Sequence, residues 1–205
     1  MKSREGILLV VSAPSGAGKT TLCKAITEQL DGLTHSISYT TRRPRPGEVD
    51  GRDYYFVTEQ RFQEMIDAGD FAEHARVHSN YYGTSKCVLD DMVRRGIDVI
   101  LDIDTQGARQ IKNTWSKAKF VFIMPPSMAI LEERLRNRKS DHDAEIAKRL
   151  RRATAEIADY RMYDYVIVNR DFERALSELR AIIVAERCRT GLLTEDWVNE
   201  LLPNK

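Results

Sequence analysis

Near its start the chain reads Ile-Leu-Leu-Val-Val-Ser-Ala-Pro-Ser-Gly-Ala-Gly-Lys-Thr-Thr-Leu over residues 7–22. Positions 7–11 form an unbroken apolar run rich in β-branched residues, the pattern of a strand buried on both faces. Turn-forming residues follow, and then Leu22, Ile26 and Leu30 recur at helical spacing. Strand, small-residue loop and helix in this order are the setting of a phosphate-binding loop. Backbone N–H groups of such a loop and of the helix N-terminus converge on an anion. Ala13, Pro14, Ser15, Gly16, Ala17 and Gly18 supply the loop, and the two glycines let the backbone approach phosphate oxygens closely. Lys19 is placed to reach β- and γ-phosphates, and the Thr20 hydroxyl to ligate Mg2+. The first position of the usual glycine pattern is Ala13, which adds only a methyl. A nucleoside triphosphate is the expected ligand.

With 205 residues, 42% apolar and 31% charged, the chain has the material for one domain with inserted lobes. Its net charge of +1 supplies no global field toward nucleic acid or an anionic membrane, and neither is an expected partner. No run approaches about eighteen apolar residues, and residues 1–6 are too short and polar for a signal peptide, so a cytoplasmic protein is expected. Cys23, Cys87 and Cys188 lack metal-ligand spacing and read as reduced packing residues.

Further along, residues 34–41 alternate enough for a strand. Arg42, Arg43 and Arg45 then sit among two prolines and Gly47. A stiff loop presenting guanidinium forks suits a bound phosphate; the plainer reading is a solvated cluster of like charges. Strands are expected over 53–57 and 71–77, with a helix over 59–68 burying Phe62, Met65 and Ile66. Residues 80–84 read as a turn whose phenols serve either packing or binding. A buried strand over 97–103 carries Asp102 near its end, with Asp104 just beyond, where a metal-holding carboxylate belongs. A strand regular to Asp104 puts both carboxylates on one side; otherwise the Asp caps the next turn or helix.

A short strand over 120–124 precedes a helix that Ser127 is placed to cap. A second helix starts near Asp143, and the pair carries Arg134, Arg138, Lys148, Arg149, Arg151 and Arg152. Most of these cations read as solvated surface, but two or three closing over a triphosphate would make the pair a lid. The last strand covers 165–168, then Asn169 and a helix from Asp171. Strands alternating with helices predict a parallel sheet covered on both faces. Residues 190–205 hold an amphipathic segment with Leu192, Trp197, Val198, Leu201 and Leu202. It has two readings, docking on the core or on a second copy, the latter giving a homo-oligomer.

Residues 12–20, 40–48 and 80–83, the run Leu101-Asp102-Ile103-Asp104 with Gln106-Gly107, and residues 166–169 resemble the guanylate kinase family in order and spacing. The likeness covers about residues 6–186. It implies a P-loop NTPase three-layer α/β/α fold, with a parallel core sheet built from 5–34, 93–134 and 154–186. It further implies an inserted GMP-binding lobe at 35–92, a helical lid at 135–153, and a tail at 187–205 outside the pattern. The implied reaction is Mg2+-dependent phosphoryl transfer from ATP to GMP or dGMP. Carried over by position, Arg42, Arg45, Tyr54 and Tyr82 hold the GMP phosphate, while Ser38, Glu73, Thr84 and Asp104 read the base. Lys19, Thr20, Arg134, Arg138 and Arg149 serve the triphosphate, Asp102 the metal, and Asn169 sits near adenine or ribose. The chemistry agrees: guanine offers N1–H and an amine to carboxylates and an O6 acceptor to hydroxyls. Lys139 stands where many members have Gly, and Arg170 where many have Asp.

Two rival readings remain distinct from this one. A family-like module binding a phosphorylated peptide would have little use for Lys19, Thr20, Asp102 and Arg149, which are all present. A P-loop kinase for another acceptor, such as adenylate or a shikimate-like alcohol, would not need Glu73 with Asp104, since adenine lacks adjacent donors.

Overall fold

The computed structural model describes residues 4–77, 79–137 and 142–202. In chain order its elements begin with β1 (Leu8–Ser12), α1 (Lys19–Gln29), β2 (Leu33–His35), β3 (Tyr39–Thr40), β4 (Tyr55–Phe56), α2 (Glu59–Asp67), β5 (Phe71–Val77), β6 (Asn80–Ser85) and α3 (Lys86–Arg94). There follow β7 (Asp98–Asp102), α4 (Thr105–Thr114), β8 (Lys119–Met124), α5 (Met128–Asn137), α6 (Asp143–Ala158), β9 (Tyr165–Val168), α7 (Phe172–Arg187) and α8 (Glu195–Leu201). Among the described residues no helix is long and apolar enough to cross a membrane.

Five strands form the parallel core sheet, in the order β2-β7-β1-β8-β9. The central place of β1 explains its continuous apolar run. Leu9 and Val11 pack against Leu22, Ile26, Leu179 and Ile183 under α1 and α7. Leu8 and Val10 point the other way, toward Leu89, Ala108, Ile111 and Phe120 on the α3 and α4 side. Each such side chain contributes about 1.5–3 kcal/mol when fully buried. The loop after β1 therefore emerges at the C-terminal edge of the sheet, between β7 and β8, where open α/β sheets bind ligands. At the opposite edge Asp98, fully buried, accepts from the Ile7 N–H at 2.9 Å, from Arg4 at 2.7 and 2.8 Å, and from Arg187 at 2.6 Å.

A second sheet, ordered β4-β3-β6-β5, makes the inserted lobe. Two expectations change here. The single strand over 34–41 is two short ones: Leu33, Thr34 and His35 pair with β7, whereas Tyr39 and Thr40 pair with β4 and β6, so the chain switches sheets between them. The expected turn over 80–84 is instead strand β6, paired with β5 from Asn80 to Ser85. Alternation along β6 splits its tyrosines. Tyr81 stacks on Phe62 of α2 at 5.4 Å, while Tyr82 turns to the opposite face and meets Tyr54 at 6.0 Å.

α3 and α4, neither signalled strongly by apolar spacing, are capped by Ser85 and Asp104. α5 and α6 pack on each other through Leu131, Leu135, Ile146 and Ala153, with Leu150 against them. Ser127 caps α5 as expected, accepting from the Ile130 N–H at 3.2 Å. The tail docks through Leu192, which packs on the core and whose carbonyl accepts from the Glu5 N–H at 2.9 Å. Leu201 and Leu202 are exposed. Of the cysteines only Cys23 is a buried packing residue; Cys87 and Cys188 lie on the surface.

Candidate active site

Gly18 caps α1 with φ +95°, and a Cβ there would lie 2.3 Å from Asn169 Nδ2, so no side chain fits. That same amide donates to the Ala17 carbonyl at 2.7 Å, and the Asn169 carbonyl accepts from Arg134 at 3.0 Å. Buried at the end of β9, Asn169 thus braces the loop backbone. Ala13, Pro14 and Ala17 are buried, while Ser15 and Thr20 are exposed at the mouth with Gly16 half-buried. Lys19 donates to Asp102 Oδ1 at 2.6 Å and to the Ile103 carbonyl at 2.7 Å.

Asp102 and Asp104 do not share a strand face. β7 ends at Asp102, and Asp104 is the N-cap of α4, with Oδ1 accepting from the Gln106 and Gly107 N–H groups at 3.1 and 3.0 Å. The capping alternative therefore describes Asp104's backbone role. Its second oxygen, Oδ2, meets Arg152 of α6 at 3.1 Å. Arg152 also pairs with Glu156 at 2.8 Å, a carboxylate whose pKa is raised chiefly by burial.

The other candidate residues gather on one face of the lobe sheet. A bulge between Phe71 and Glu73 shifts β5 by a residue against β6, so that Phe71 stacks on Phe62 at 4.5 Å while Glu73 pairs with Thr84 on the other face. Without the bulge, residues two apart would point the same way. Glu73 is 6% exposed and accepts from the Thr84 hydroxyl at 2.6 Å. Burial pushes its pKa up to about 7; Thr84's hydrogen bond opposes this, the charge of Asp104 adds to it and Lys19 opposes it. Contacts tie the three groups together: Lys19 donates to the Ile103 carbonyl next to Asp104, and Gly107 of the helix that Asp104 caps lies against the Glu73 carboxylate.

On the same lobe one guanidinium nitrogen of Arg42, Nη2, donates to both carboxylate oxygens of Glu48, at 2.8 and 2.9 Å. Its guanidinium lies 5.3 Å from the centre of the Tyr54 ring and 5.8 Å from that of Phe56. Glu48 also accepts from the Arg45 N–H at 2.7 Å, and these two arginine contacts hold its pKa below the usual carboxylate range. Tyr54 is shifted upward, mainly by burial and then by Tyr82. The Arg45 side chain stays exposed, and Ser38 lies just before β3, its carbonyl accepting from the Tyr55 N–H at 2.9 Å. Arg149 sits half-buried on α6, one turn before Arg152. Arg138 lies outside the described residues.

Sequence reading passed over three residues with clear contacts here. Glu48 carried a signal, an acid closing a run of arginines. Arg152 was one of several cations on a helix, with nothing to choose among them. Gln110, whose side chain bonds the β5 backbone at His74, had no local signal at all.

Comparison with known proteins agrees with this architecture. The family model described as guanylate kinase matches residues 5–186. The guanylate kinase of Geobacter metallireducens is 54% identical over 192 residues, 94% of this chain and 95% of its own. That of Escherichia coli O157:H7 is 50% identical over 187 residues, 90% of each. The crystal structure of guanylate kinase from Anaplasma phagocytophilum superposes with a TM-score of 0.77 at 34% identity, covering 100% of both chains. With a phosphate loop on a parallel sheet, a second sheet inserted beside it and matches of this extent, the chain belongs to the guanylate kinase family.

Proposed function

We propose that the chain transfers the γ-phosphoryl group of ATP to GMP or dGMP, giving ADP and the guanosine diphosphate. The observation that carries this reading is Glu73. A carboxylate buried on the lobe, hydrogen-bonded to Thr84 and close to Asp104, has the acceptor chemistry for the N1–H and amine of guanine. Ser38 is the hydroxyl proposed to donate to O6, and Thr84, whose proton goes to Glu73, is proposed to share in reading the base beside it. The acceptor phosphate belongs with Arg42, Tyr54 and Tyr82, the cation 5.3 Å from the centre of the Tyr54 ring and Tyr82 against the same ring, with Arg45 at the rim.

On the donor side the loop of residues 13–18 holds the phosphates through its backbone N–H groups, all but that of Pro14, which has none, and Lys19 follows the charge that develops between β and γ. Thr20 and Asp102 offer hard oxygens at this end of the sheet, a donor set that suits Mg2+, which takes few protein ligands and completes its shell with phosphate and water. When bound, the ion neutralises charge on the β- and γ-oxygens. Arg134, Arg149 and, outside the described residues, Arg138 are proposed to bring further cations from α5 and α6. The protein's part is alignment and charge neutralisation, and no side chain is assigned as general base. The cytoplasm is the proposed place of work.

A coupled assay for ADP formation, run with GMP, dGMP, AMP, CMP and UMP, tests the reading. Turnover confined to the guanine nucleotides is expected. Equal turnover with AMP would overturn it.

A further inference from the structure

β5 is the outer strand of the lobe sheet, with β6 on its inner side. Its outer edge is occupied by a side chain from the core. Gln110 Oε1 accepts from the His74 N–H at 3.0 Å, and Gln110 Nε2 donates to the His74 carbonyl at 2.8 Å. One donor and one acceptor on a single residue reproduce what a further strand would offer an edge. His74 directly follows Glu73, and the bulge that turns Glu73 toward the cleft lies directly before it. A bulge leaves part of the ladder unpaired, so its position is only as firm as the pairing on either side.

α4 touches this strand at a second point. A Cβ on Gly107 would lie 2.8 Å from Glu73 Oε2, which shows how closely the helix approaches. Asp104, Gly107 and Gln110 follow one another at intervals of three on one side of α4. One helix face therefore caps itself with Asp104, leaves room for the Glu73 carboxylate, and grips the strand beyond it.

We propose that Gln110 is a positioning residue for the acceptor base. By clamping the His74 backbone it fixes Glu73 relative to Asp104, and so sets how strongly the site prefers a base carrying both a ring N–H and an exocyclic amine. This rests on the guanine reading proposed above. Lys19 and Asp102 lie on α1 and β7, and Lys19 bonds Asp102 and the Ile103 carbonyl, so KM for ATP is the reference against which a loss at the base is read.

The test measures kcat/KM for GMP and for IMP, which keeps N1–H and O6 but lacks the amine, in full-length wild type, Gln110→Ala and Gln110→Glu. The wild-type preference for GMP is expected to fall about 10- to 100-fold in both variants, the scale of loss from ångström misplacement, with KM for ATP unchanged. Gln110→Glu is isosteric, keeps the acceptor for the His74 N–H, and sets two oxygens against each other at the second bond. It carries the comparison if Gln110→Ala does not fold. Ile183→Val, in the core cluster under α7 and away from the lobe, should lower the melting temperature yet keep the GMP preference. An unchanged preference in the Gln110 variants, or an equal loss in Ile183→Val, would overturn the clamp while leaving the guanine reading intact. A wild type without preference for GMP over AMP and IMP would overturn the guanine reading, and this inference with it.

Discussion

The two ends of the cleft are made in opposite ways. At the donor end one uninterrupted stretch supplies nearly everything, and Lys19 finds its partners on the neighbouring strand β7, 2.6 Å from Asp102. At the acceptor end the groups come from residues spread between Ser38 and Asp104, on separate short strands and a helix cap. The first is anchored in a sheet buried on both faces; the second rests on a small sheet packed on α2 by stacked aromatics and held at its β5 edge by α4. Triphosphate presents the same oxygens whatever base it carries, so a backbone loop suffices to hold it. A base must be told from other bases, and that takes side chains with separate directions.

Four measurements put this contrast at risk. Lys19→Met should leave the fold intact and lower kcat on the order of 100- to 1000-fold, as loss of one preorganised charge does; a folded variant with near-normal turnover would remove the donor loop from the chemistry. Glu73→Gln should lower kcat/KM for GMP by about 10- to 150-fold by leaving a donor facing a donor. Its KM for ATP should hold, and parallel losses for both substrates would mean the two ends are not separable. Glu48→Ala removes the acceptor that orients Arg42 and the Arg45 backbone; KM for GMP should rise about 2- to 5-fold, the scale of a partly exposed ion pair. The last measurement concerns stability. Glu73 titrates at about 7 in the folded chain against an ordinary value of 4.5. Between these values the native state holds a proton that the unfolded chain has released, so stability should decline as pH rises from 4.5 to 7. Thermal melts of Glu73→Gln should show a flatter slope across that window.

The same contrast decides what could be read before the fold was known. The donor loop was legible because its function is carried by order along the chain: strand, Gly18, Lys19, Thr20, helix. The core strands were legible because burial on both faces leaves a continuous apolar run. The acceptor lobe was harder. Residues 80–84 look like a turn since Asn80, Gly83 and two tyrosines give no apolar alternation; pairing with β5 overrides local preference there. The base-reading role proposed for Glu73 came only from family resemblance, and nothing in residues 71–77 announces the bulge that turns it to the face opposite Phe71. Asp104 carried both of its readings in sequence, and its cap and its cleft position turn out to be compatible, since Oδ1 serves the helix and Oδ2 faces α6. Glu48 was visible beside its arginines, but only the fold gives it to Arg42.

The clamp on Asp98 bears on where this domain can be cut. The family model matches residues 5–186, yet the carboxylate at the base of the sheet is balanced by Arg4 and Arg187, the residues immediately outside that match. A fragment cut at those bounds would lose both guanidinium groups and keep the buried charge, a change that typically costs several kcal/mol. The matched segment and the charge-balanced one differ by one residue at each end, so a cut meant to preserve the fold leaves Arg4 and Arg187 in place.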